Sequence, residues 1–239
     1  MIIEALYPEL CNLYGEAMNA EYLHRTVQDC ELVKTSLKMR PAFLDKDVDF
    51  IYLGSMTETG QELAIPALRE HYQRILELID TGTVFLVTGN AMELFGTYIE
   101  NEDGTQIKAL GLFDLHSKRQ MMRRYSSIYL GTFDTIDIVG FKSQFAHIYE
   151  NSEPPVPALF ETRRGAGRAP GQKEEGARIN NFFATSVLGP LLILNPPFTR
   201  YILSLLGVHS YTLPYEQEIL TAYNARLSEF KDPKTGVEY

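Results

Sequence analysis

The residues best placed for chemistry in this 239-residue sequence lie in VFLVTGNAMELFG, residues 84–96. An apolar run followed by glycine and a helical pattern predicts a strand, a sharp turn and a helix. Such turns, at the carboxyl end of a strand in an open α/β sheet, carry the nucleophile of many enzymes. The tip holds Thr88, Gly89, Asn90 and Ala91, and thus one hydroxyl and no thiol. The sequence therefore predicts an elbow without a cysteine nucleophile.

A thiol elsewhere is the first alternative. Cys11 follows the first predicted strand, on the sheet edge where α/β proteins place their sites, and His147, His116 or His24 are candidate bases for it. The competing interpretation is a buried small residue without a role, which most free cysteines are. Cys30 opens a strand and is predicted to be structural. Neither cysteine has CxxC pairing or a histidine at metal-ligand spacing, so neither a zinc site nor a disulfide framework is indicated.

Polar side chains near or after the turn are candidates for ligand contacts. Glu93 is a candidate general base, although a carboxylate in the first turn of a helix also complements the helix dipole. Asn90 either supplies a turn residue with positive φ or bonds a ligand through its amide. Arg123 and Arg124 would hold a carboxylate, unless the pair is simply solvated.

A basic, glycine-rich segment, RRGAGRAPGQK at residues 163–173, invites comparison with a phosphate-binding loop. The strand before it and the helix after it, which would aim backbone amides at a phosphate, are missing from the pattern. A solvated mobile loop is the preferred interpretation.

The composition limits the classes of protein to which this sequence can belong. With 45% hydrophobic residues, the chain can bury a full core, and we expect one domain over residues 1–239. A formal charge of −9 argues against a general nucleic-acid binder, which needs a concentrated basic face. No segment approaches the roughly 20 apolar residues of a membrane span, and the N-terminus shows no signal peptide, so a cytoplasmic protein is expected.

Strands and helices alternate over the first hundred residues. The runs IIEALY, CELVKTSL, VDFIYLGS and TVFLVTG predict strands with helices between them, and hence a doubly wound, mostly parallel sheet. One helix is predicted from an apolar stripe, with Pro66 in its first turn and Gly82 as its stop. The stripe consists of Leu68, Tyr72, Ile75, Leu76 and Ile79.

The second half of the sequence has a different pattern. A hairpin with Asp103 and Gly104 at its turn, followed by two more alternating strands, predicts an antiparallel extension of the sheet. Residues 151–178 are rich in proline, glycine and charge and predict a long irregular loop. A C-terminal helix is expected at about residues 214–231.

Four segments together resemble a known family. LYPELCNLYGEAMNAEYL, VTGNAMELFG, NEDGTQIKALGLFDL and TSVLGPLLILNPPFTRYIL are similar, in order and spacing over about residues 3–206, to class I glutamine amidotransferases of the cobyric acid synthase type. The similarity is greatest to the glutaminase subunits of lipid II isoglutaminyl synthases. The resemblance implies a flavodoxin-like fold and a glutaminase in which an elbow cysteine attacks the side-chain amide of glutamine, a histidine activates the thiol, and backbone amides stabilise the oxyanion.

The catalytic positions of that family carry other residues here. The cysteine position falls on Gly89, or on Asn90 if the turn is shifted by one, and the histidine position falls on Leu188. Leucine neither accepts nor donates a proton. The family's glutamine after the cysteine falls on Glu93, and the acidic-and-histidine motif is KSQ, residues 142–144. The resemblance therefore implies ancestry and fold, while the nucleophile and the base are both missing.

The resemblance also marks ligand-binding candidates. The turn GSM, residues 54–56, occupies the place of the family's oxyanion turn, and Arg123 matches a glutamine-binding arginine whose neighbouring Gly-Asp is replaced by Ser126 and Ser127. Bulky apolar residues at Met56, Met92 and Leu188 are expected to reduce the pocket. The full candidate set is Gly54, Ser55, Thr88, Asn90, Glu93, Arg123 and Gln144.

These observations favour a catalytically degenerate amidotransferase-like protein kept for binding, with no cofactor and no metal. It would be the partner subunit of a ligase-type, Mur-ligase-like enzyme, or a sensor with a small-molecule ligand in the old cleft. One alternative is an active amidotransferase with Cys11 as nucleophile, supplying ammonia for cell-wall precursor or corrinoid amidation. Another is an unrelated reaction run by Glu93, Thr88 or Gln144.

Overall fold

The computed structural model describes residues 1–238. Its strands are β1 (Ile2–Leu6), β2 (Glu31–Thr35), β3 (Phe50–Leu53), β4 (Val84–Thr88), β5 (Tyr98–Glu100), β6 (Gln106–Lys108), β7 (Leu115–Arg119), β8 (Tyr125–Phe133), β9 (Ile136–Gln144), β10 (Ala146–Glu150), β11 (Phe160–Arg164), β12 (Glu174–Glu175), β13 (Ala177–Ile179) and β14 (Phe182–Thr185). Its α-helices are α1 (Met18–Thr26), α2 (Glu58–Glu70), α3 (Tyr72–Thr81), α4 (Leu191–Leu194), α5 (Pro196–Leu205) and α6 (Glu216–Lys231). Short 3-10 helices cover Leu13–Gly15, Ala42–Leu44 and Gly89–Phe95.

The central sheet has the strand order β2-β1-β3-β4-β14-β13. Its strands pair in parallel except β13, which runs antiparallel at the edge. β3 (FIYL) and β4 (VFLVT) are buried along their whole length, as apolar runs covered on both faces of a sheet should be. Two hydrophobic clusters contain the apolar faces of α2 and α3 in one case and of α1, α4 and α5 in the other. The predicted α/β class is confirmed.

The helical stripe predicted around Pro66 is divided between two helices. α2 begins at Glu58, where the side chain of Thr57 accepts the N–H of Gly60 at 3.1 Å, so Pro66 lies in the helix interior rather than its first turn. The cap at Thr57 is the stronger start signal, and it lies more than two turns earlier. His71 has non-helical backbone angles and separates α2 from α3. Gly82 ends α3 with φ +93°, confirming the predicted stop.

The antiparallel strands do not extend the central sheet, apart from β13. They form two further sheets with the orders β10-β7-β5-β6 and β12-β11-β8-β9. The hairpin turn at Asp103 and Gly104 is confirmed, with φ +82° at the glycine and β5 paired to β6. β8 and β9 pair from Tyr125↔Gln144 to Phe133↔Ile136. Because β8 pairs with β9 on one edge and β11 on the other, its hydrogen bonds are satisfied away from the central sheet.

Residues 151–178 contain β11, β12 and the start of β13 rather than one long loop. Arg168 and Glu175 in this segment are buried, and the side chain of Glu175 pairs with the equally buried Lys142 on β9. Arg168 pairs with Glu150 on β10. Two of the charged residues in this segment, Arg168 and Glu175, are therefore buried in ion pairs, which the sequence pattern alone does not separate from solvated charges. At the C-terminus, α6 covers Glu216–Lys231, against the expected 214–231.

Candidate functional site

The predicted elbow follows β4. The strand ends at Thr88, and Gly89 turns the chain with φ +63°, a left-handed conformation that glycine adopts at little cost. The helix that follows is the 3-10 helix Gly89–Phe95 rather than an α-helix. The tip thus has the geometry of a sharp strand-to-helix turn at the carboxyl end of a central strand.

At Gly89 the turn has no room for a side chain. A Cβ atom built on Gly89 would lie 2.7 Å from both Cβ and Oγ of Ser55 and 2.9 Å from Cδ2 of Leu188. Leu188 is fixed in place because its N–H donates to the carbonyl of Phe141 at 2.9 Å and its own carbonyl accepts the Phe141 N–H at 3.2 Å. Any side chain at Gly89 would have to displace Ser55 or Leu188.

Asn90 directs its side chain to the turn after β3. Its Oδ1 accepts the backbone N–H of Met56 at 3.0 Å and the hydroxyl of Ser55 at 3.1 Å, and its Nδ2 donates to the Met56 carbonyl at 2.7 Å. One amide therefore satisfies both backbone groups of Met56. The N–H of Met56 is consequently occupied within the protein.

A second chain of hydrogen bonds fixes the backbone of Asn90. Gln61 on α2 donates from Nε2 to the Asn90 carbonyl at 2.8 Å, and its Oε1 accepts from Arg119 at 2.7 Å. Arg119 also donates to Oδ1 of Asn101 at 2.9 Å. The elbow is thus connected to β7 and to the loop after β5 by buried polar contacts.

A cavity of about 350 Å³, here called the elbow cavity, opens beside the tip. Its walls include Ser55, Asn90, Glu93, Gln144 and Arg124. Burial raises the pKa of Glu93 to about 7, although Gln61 and Arg119 act in the opposite direction. The Oε1 atom of Gln144 is buried without a hydrogen-bond donor within residues 1–238, while its Nε2 donates to the Ala146 carbonyl at 2.7 Å.

The remaining candidates lie elsewhere. Gly54 and Thr88 are outside the elbow cavity wall, and Thr88 Oγ1 lies 2.8 Å from the hydroxyl of Tyr52 in the interior. Arg123 lines a different cavity of about 740 Å³, here called the arginine cavity, and Arg124 borders both cavities. The structure therefore brings together Ser55, Asn90, Glu93 and Gln144 and separates Arg123 from them.

Cys11 is only 2% exposed, and burial raises the pKa of its thiol to about 12. The three histidines considered with it have other surroundings. The Nδ1 atom of His147 lies 3.3 Å from Nε2 of Gln144, and that of His116 lies 2.7 Å from Oδ1 of Asn151. Nδ1 of His24 is buried without a partner in the part of the chain that the structure describes.

The bulky residues expected to reduce the pocket are all buried. Met56, Met92 and Leu188 are at most 2% exposed, and only Met56 reaches the wall of the elbow cavity. The elbow cavity, of about 350 Å³, remains open beside these three side chains.

A buried carboxylate that sequence reasoning did not identify lies behind the elbow. Glu16 accepts the backbone N–H of Gly189 at 2.6 Å and Nδ2 of Asn19 at 3.1 Å, and burial raises its pKa. Asn19 in turn accepts the N–H of Leu192 at 2.9 Å. The available signal is YGEAMN, where two polar side chains open a helix that is otherwise packed on the sheet. These contacts fix the segment that carries Leu188.

Metal-ligand clusters and membrane-spanning helices are both missing from residues 1–238. Among residues 1–238, no group of three or more His, Cys, Asp or Glu side chains is arranged to hold a metal ion. Within the same residues, the helices are too short or too polar for any of them to cross a bilayer.

No family model matches the chain. Among curated proteins it is similar to the subunit GatD of lipid II isoglutaminyl synthase (glutamine-hydrolyzing) from Staphylococcus aureus (strain N315). The two are 24% identical over 200 residues, which are 83% of this chain and 78% of the relative.

Among solved structures, the chain superposes on glutamine amidotransferases. One glutamine amidotransferase crystal structure superposes with a TM-score of 0.57 at 14% identity, over 86% of this chain and 99% of that one. Another, from Thermotoga maritima, gives a TM-score of 0.50 at 10% identity, over 97% and 90% of the two chains. The fold of the chain is therefore similar to that of glutamine amidotransferases.

Proposed function

We propose that this chain is a catalytically degenerate glutamine-amidotransferase-like protein of the cobyric acid synthase type, retained as the partner subunit of a ligase-type enzyme. The strand order β2-β1-β3-β4-β14, with helices on both faces, supports a doubly wound, flavodoxin-like amidotransferase scaffold. The similarity to a protein that is itself a subunit of a synthase supports the partner role.

One observation carries the loss of catalysis: the tip of the elbow is filled by the protein. Amide attack needs a nucleophile that projects from the tip, a base beside it and a free backbone donor for the oxyanion. At Gly89 a Cβ would overlap Ser55 and Leu188. The resemblance assigns the position of the base to Leu188, which cannot exchange a proton. The Met56 N–H in the turn after β3, the place of the family's oxyanion site, is bound by Asn90.

The expected loss of rate is large. Removing one member of a nucleophile and base unit lowers rates by about 10⁴ to 10⁶, and removing the second costs little more. Here both positions lack the required groups. A residual activity supplied by the remaining scaffold would be too slow to feed a ligase.

The alternative with Cys11 as nucleophile is disfavoured. With a pKa of about 12, its thiolate fraction at pH 7 is on the order of 10⁻⁵. Cys11 lies outside the wall of the elbow cavity, where a substrate amide would be bound.

A ligand-sensing role within the same subunit is favoured by the elbow cavity. The Oε1 atom of Gln144, which has no donor within residues 1–238, needs one, and Glu93, Asn90 and Ser55 add polar groups to the wall. We therefore propose these four residues as contacts for a small ligand that carries an N–H or O–H donor. Glutamine itself is not expected to bind at millimolar concentration. Arg123, which matches the family's glutamine-binding arginine, lines the other cavity instead.

The test measures ammonia release from glutamine by the purified protein, alone and mixed with a Mur-ligase-like protein of the same organism. We expect no release above the blank from either the wild type or Cys11→Ala, with a known glutaminase as the positive control. We also expect co-elution with the ligase on gel filtration. Ammonia release that Cys11→Ala abolishes would establish the alternative instead, and separate elution at micromolar concentration would remove the partner role.

A further inference from the structure

The arginine cavity, of about 740 Å³, is formed by the start of β8, by β10 and by the segment before β12. Its wall includes Arg123, Arg124, His147, Gln172 and Glu238. This volume lies in the range of cavities that enclose small organic ligands. The elbow cavity is separate from it, and Arg124 is the residue they share.

The charge of this cavity is unusual for the chain. The sequence carries a net charge of −9, yet the wall contains two arginines and one acidic residue, Glu238. Within residues 1–238, neither Arg123 nor Arg124 makes a side-chain hydrogen bond or an ion pair, whereas Arg119 and Arg168 bond to two or more groups each. Arg123 and Arg124 are both exposed, so their donors face solvent. Two adjacent guanidinium groups that line one cavity without ion-pair partners among the described residues favour an anionic ligand.

Arg124 is held in position without using its donors. Its guanidinium stacks over the ring of Phe145, 4.8 Å from the centroid. Stacking restrains the side chain and leaves the N–H groups in the plane available. The guanidinium of Arg124 is thus pre-organised for a ligand that accepts hydrogen bonds.

The other polar groups in the wall add donors. Nδ1 of His147 lies 3.3 Å from Nε2 of Gln144, and because an amide nitrogen only donates, Nδ1 accepts and the ring proton resides on Nε2. Burial lowers the pKa of His147, which keeps the ring neutral with that single donor. Side-chain amides and hydroxyls of Gln120, Gln172, Tyr125 and Ser126 complete the wall.

We propose that the arginine cavity is a binding site for a small molecule bearing a phosphate group, held by Arg123 and Arg124. A phosphate offers three oxygens to separate donors and a charge near −2, which matches two guanidinium groups and several neutral donors better than one carboxylate does. The cavity, at about 740 Å³, also has room for an organic part beside the phosphate group. This site does not depend on the proposed function, because neither the elbow nor the ligase partner enters the argument.

The experiment is a calorimetric titration of the full chain with inorganic phosphate and with adenosine monophosphate, at constant ionic strength set by sodium chloride. We expect saturable binding of both that Arg123→Gln weakens roughly tenfold, about 1.4 kcal/mol. Arg226→Gln, which removes the same charge from α6, is expected to leave the affinity within about twofold. Glu238→Gln is expected to strengthen binding, since it removes the acidic group from the wall.

Three results would overturn the proposal: no saturable phosphate binding, an equal loss in Arg123→Gln and Arg226→Gln, or citrate and glutamate binding more tightly than phosphate. Thermal unfolding of each variant without ligand separates lost binding from lost folding. Arg123→Lys provides a second test, because it keeps the charge and is expected to retain part of the phosphate affinity.

Discussion

The two cavities of this protein differ in whether their polar side chains already have hydrogen-bond partners within the protein. Beside the elbow, the amide of Asn90 bonds Ser55 and both backbone groups of Met56, and the tip itself is filled. In the arginine cavity, Arg123 and Arg124 are exposed, and their side chains make no hydrogen bonds or ion pairs within residues 1–238. Groups bound to each other stabilise a fold, while groups without partners are available to a ligand. The comparison separates the filled turn after β4 from the cavity where recognition is proposed.

The sharpest test of the closed tip is Gly89→Ala. The added methyl would overlap Ser55 and Leu188 in a backbone conformation with φ +63°, so we expect the free energy of unfolding to fall by about 4 kcal/mol. Gly104→Ala is the matched control, because Gly104 has φ +82° with no atom within 4 Å of the added Cβ. Its expected cost is about 1 kcal/mol. Equal losses in urea unfolding would show that the tip is not sterically closed.

The next test concerns Glu93, whose pKa rises from 4.5 to about 7 on folding because of burial. Between these values the folded protein binds a proton that the unfolded chain has released, so this carboxyl lowers stability as pH rises through that window. The loss is on the order of 3 kcal/mol. Glu93→Gln should therefore gain stability relative to the wild type between pH 5 and pH 8, measured by urea unfolding.

The exposed Glu102→Gln is the control for that experiment, and its stability relative to the wild type should not change over the same range. If the stability of Glu93→Gln relative to the wild type also stays constant over this pH range, the Glu93 carboxyl lies in water rather than in a buried wall.

A smaller effect is expected at Asn90. Asn90→Ala leaves the N–H and carbonyl of Met56 without their partner, and we expect a loss of about 2 kcal/mol. Asn224→Ala, on the exposed face of α6, should change stability by less than about 0.5 kcal/mol. Without ligand, Arg123→Gln should likewise change stability by less than about 0.5 kcal/mol. If Arg123→Gln destabilises the protein as much as Asn90→Ala, the two regions do not differ as described.

Local signals in the sequence predicted much of the fold. The apolar run before Gly89 predicted β4 and its turn, and Gly82 and Gly104 marked a helix end and a hairpin, because these depend on backbone preferences of a few neighbouring residues. Pro66 was a weaker signal than the cap at Thr57 and misplaced the start of α2.

Contacts between distant segments were not predictable in this way. The bond from Asn90 to Met56 spans 34 positions, and the pair of Lys142 and Glu175 spans 33. The sequence shows these residue types but not which of them meet. For the same reason Arg123 was grouped with the elbow residues, whereas the fold directs it to the arginine cavity. The roles of the remaining candidates stay predictions.

The packing at Gly89 also determines how many substitutions a nucleophile at this turn would need. A single codon change can turn glycine into cysteine, but the new thiol would arrive where Ser55 and Leu188 already lie. Under the proposed function, a thiol at Gly89 would be of use only with a smaller residue at Ser55 and an imidazole at Leu188. A single substitution of Gly89 by cysteine is therefore expected to cost stability without a gain in activity.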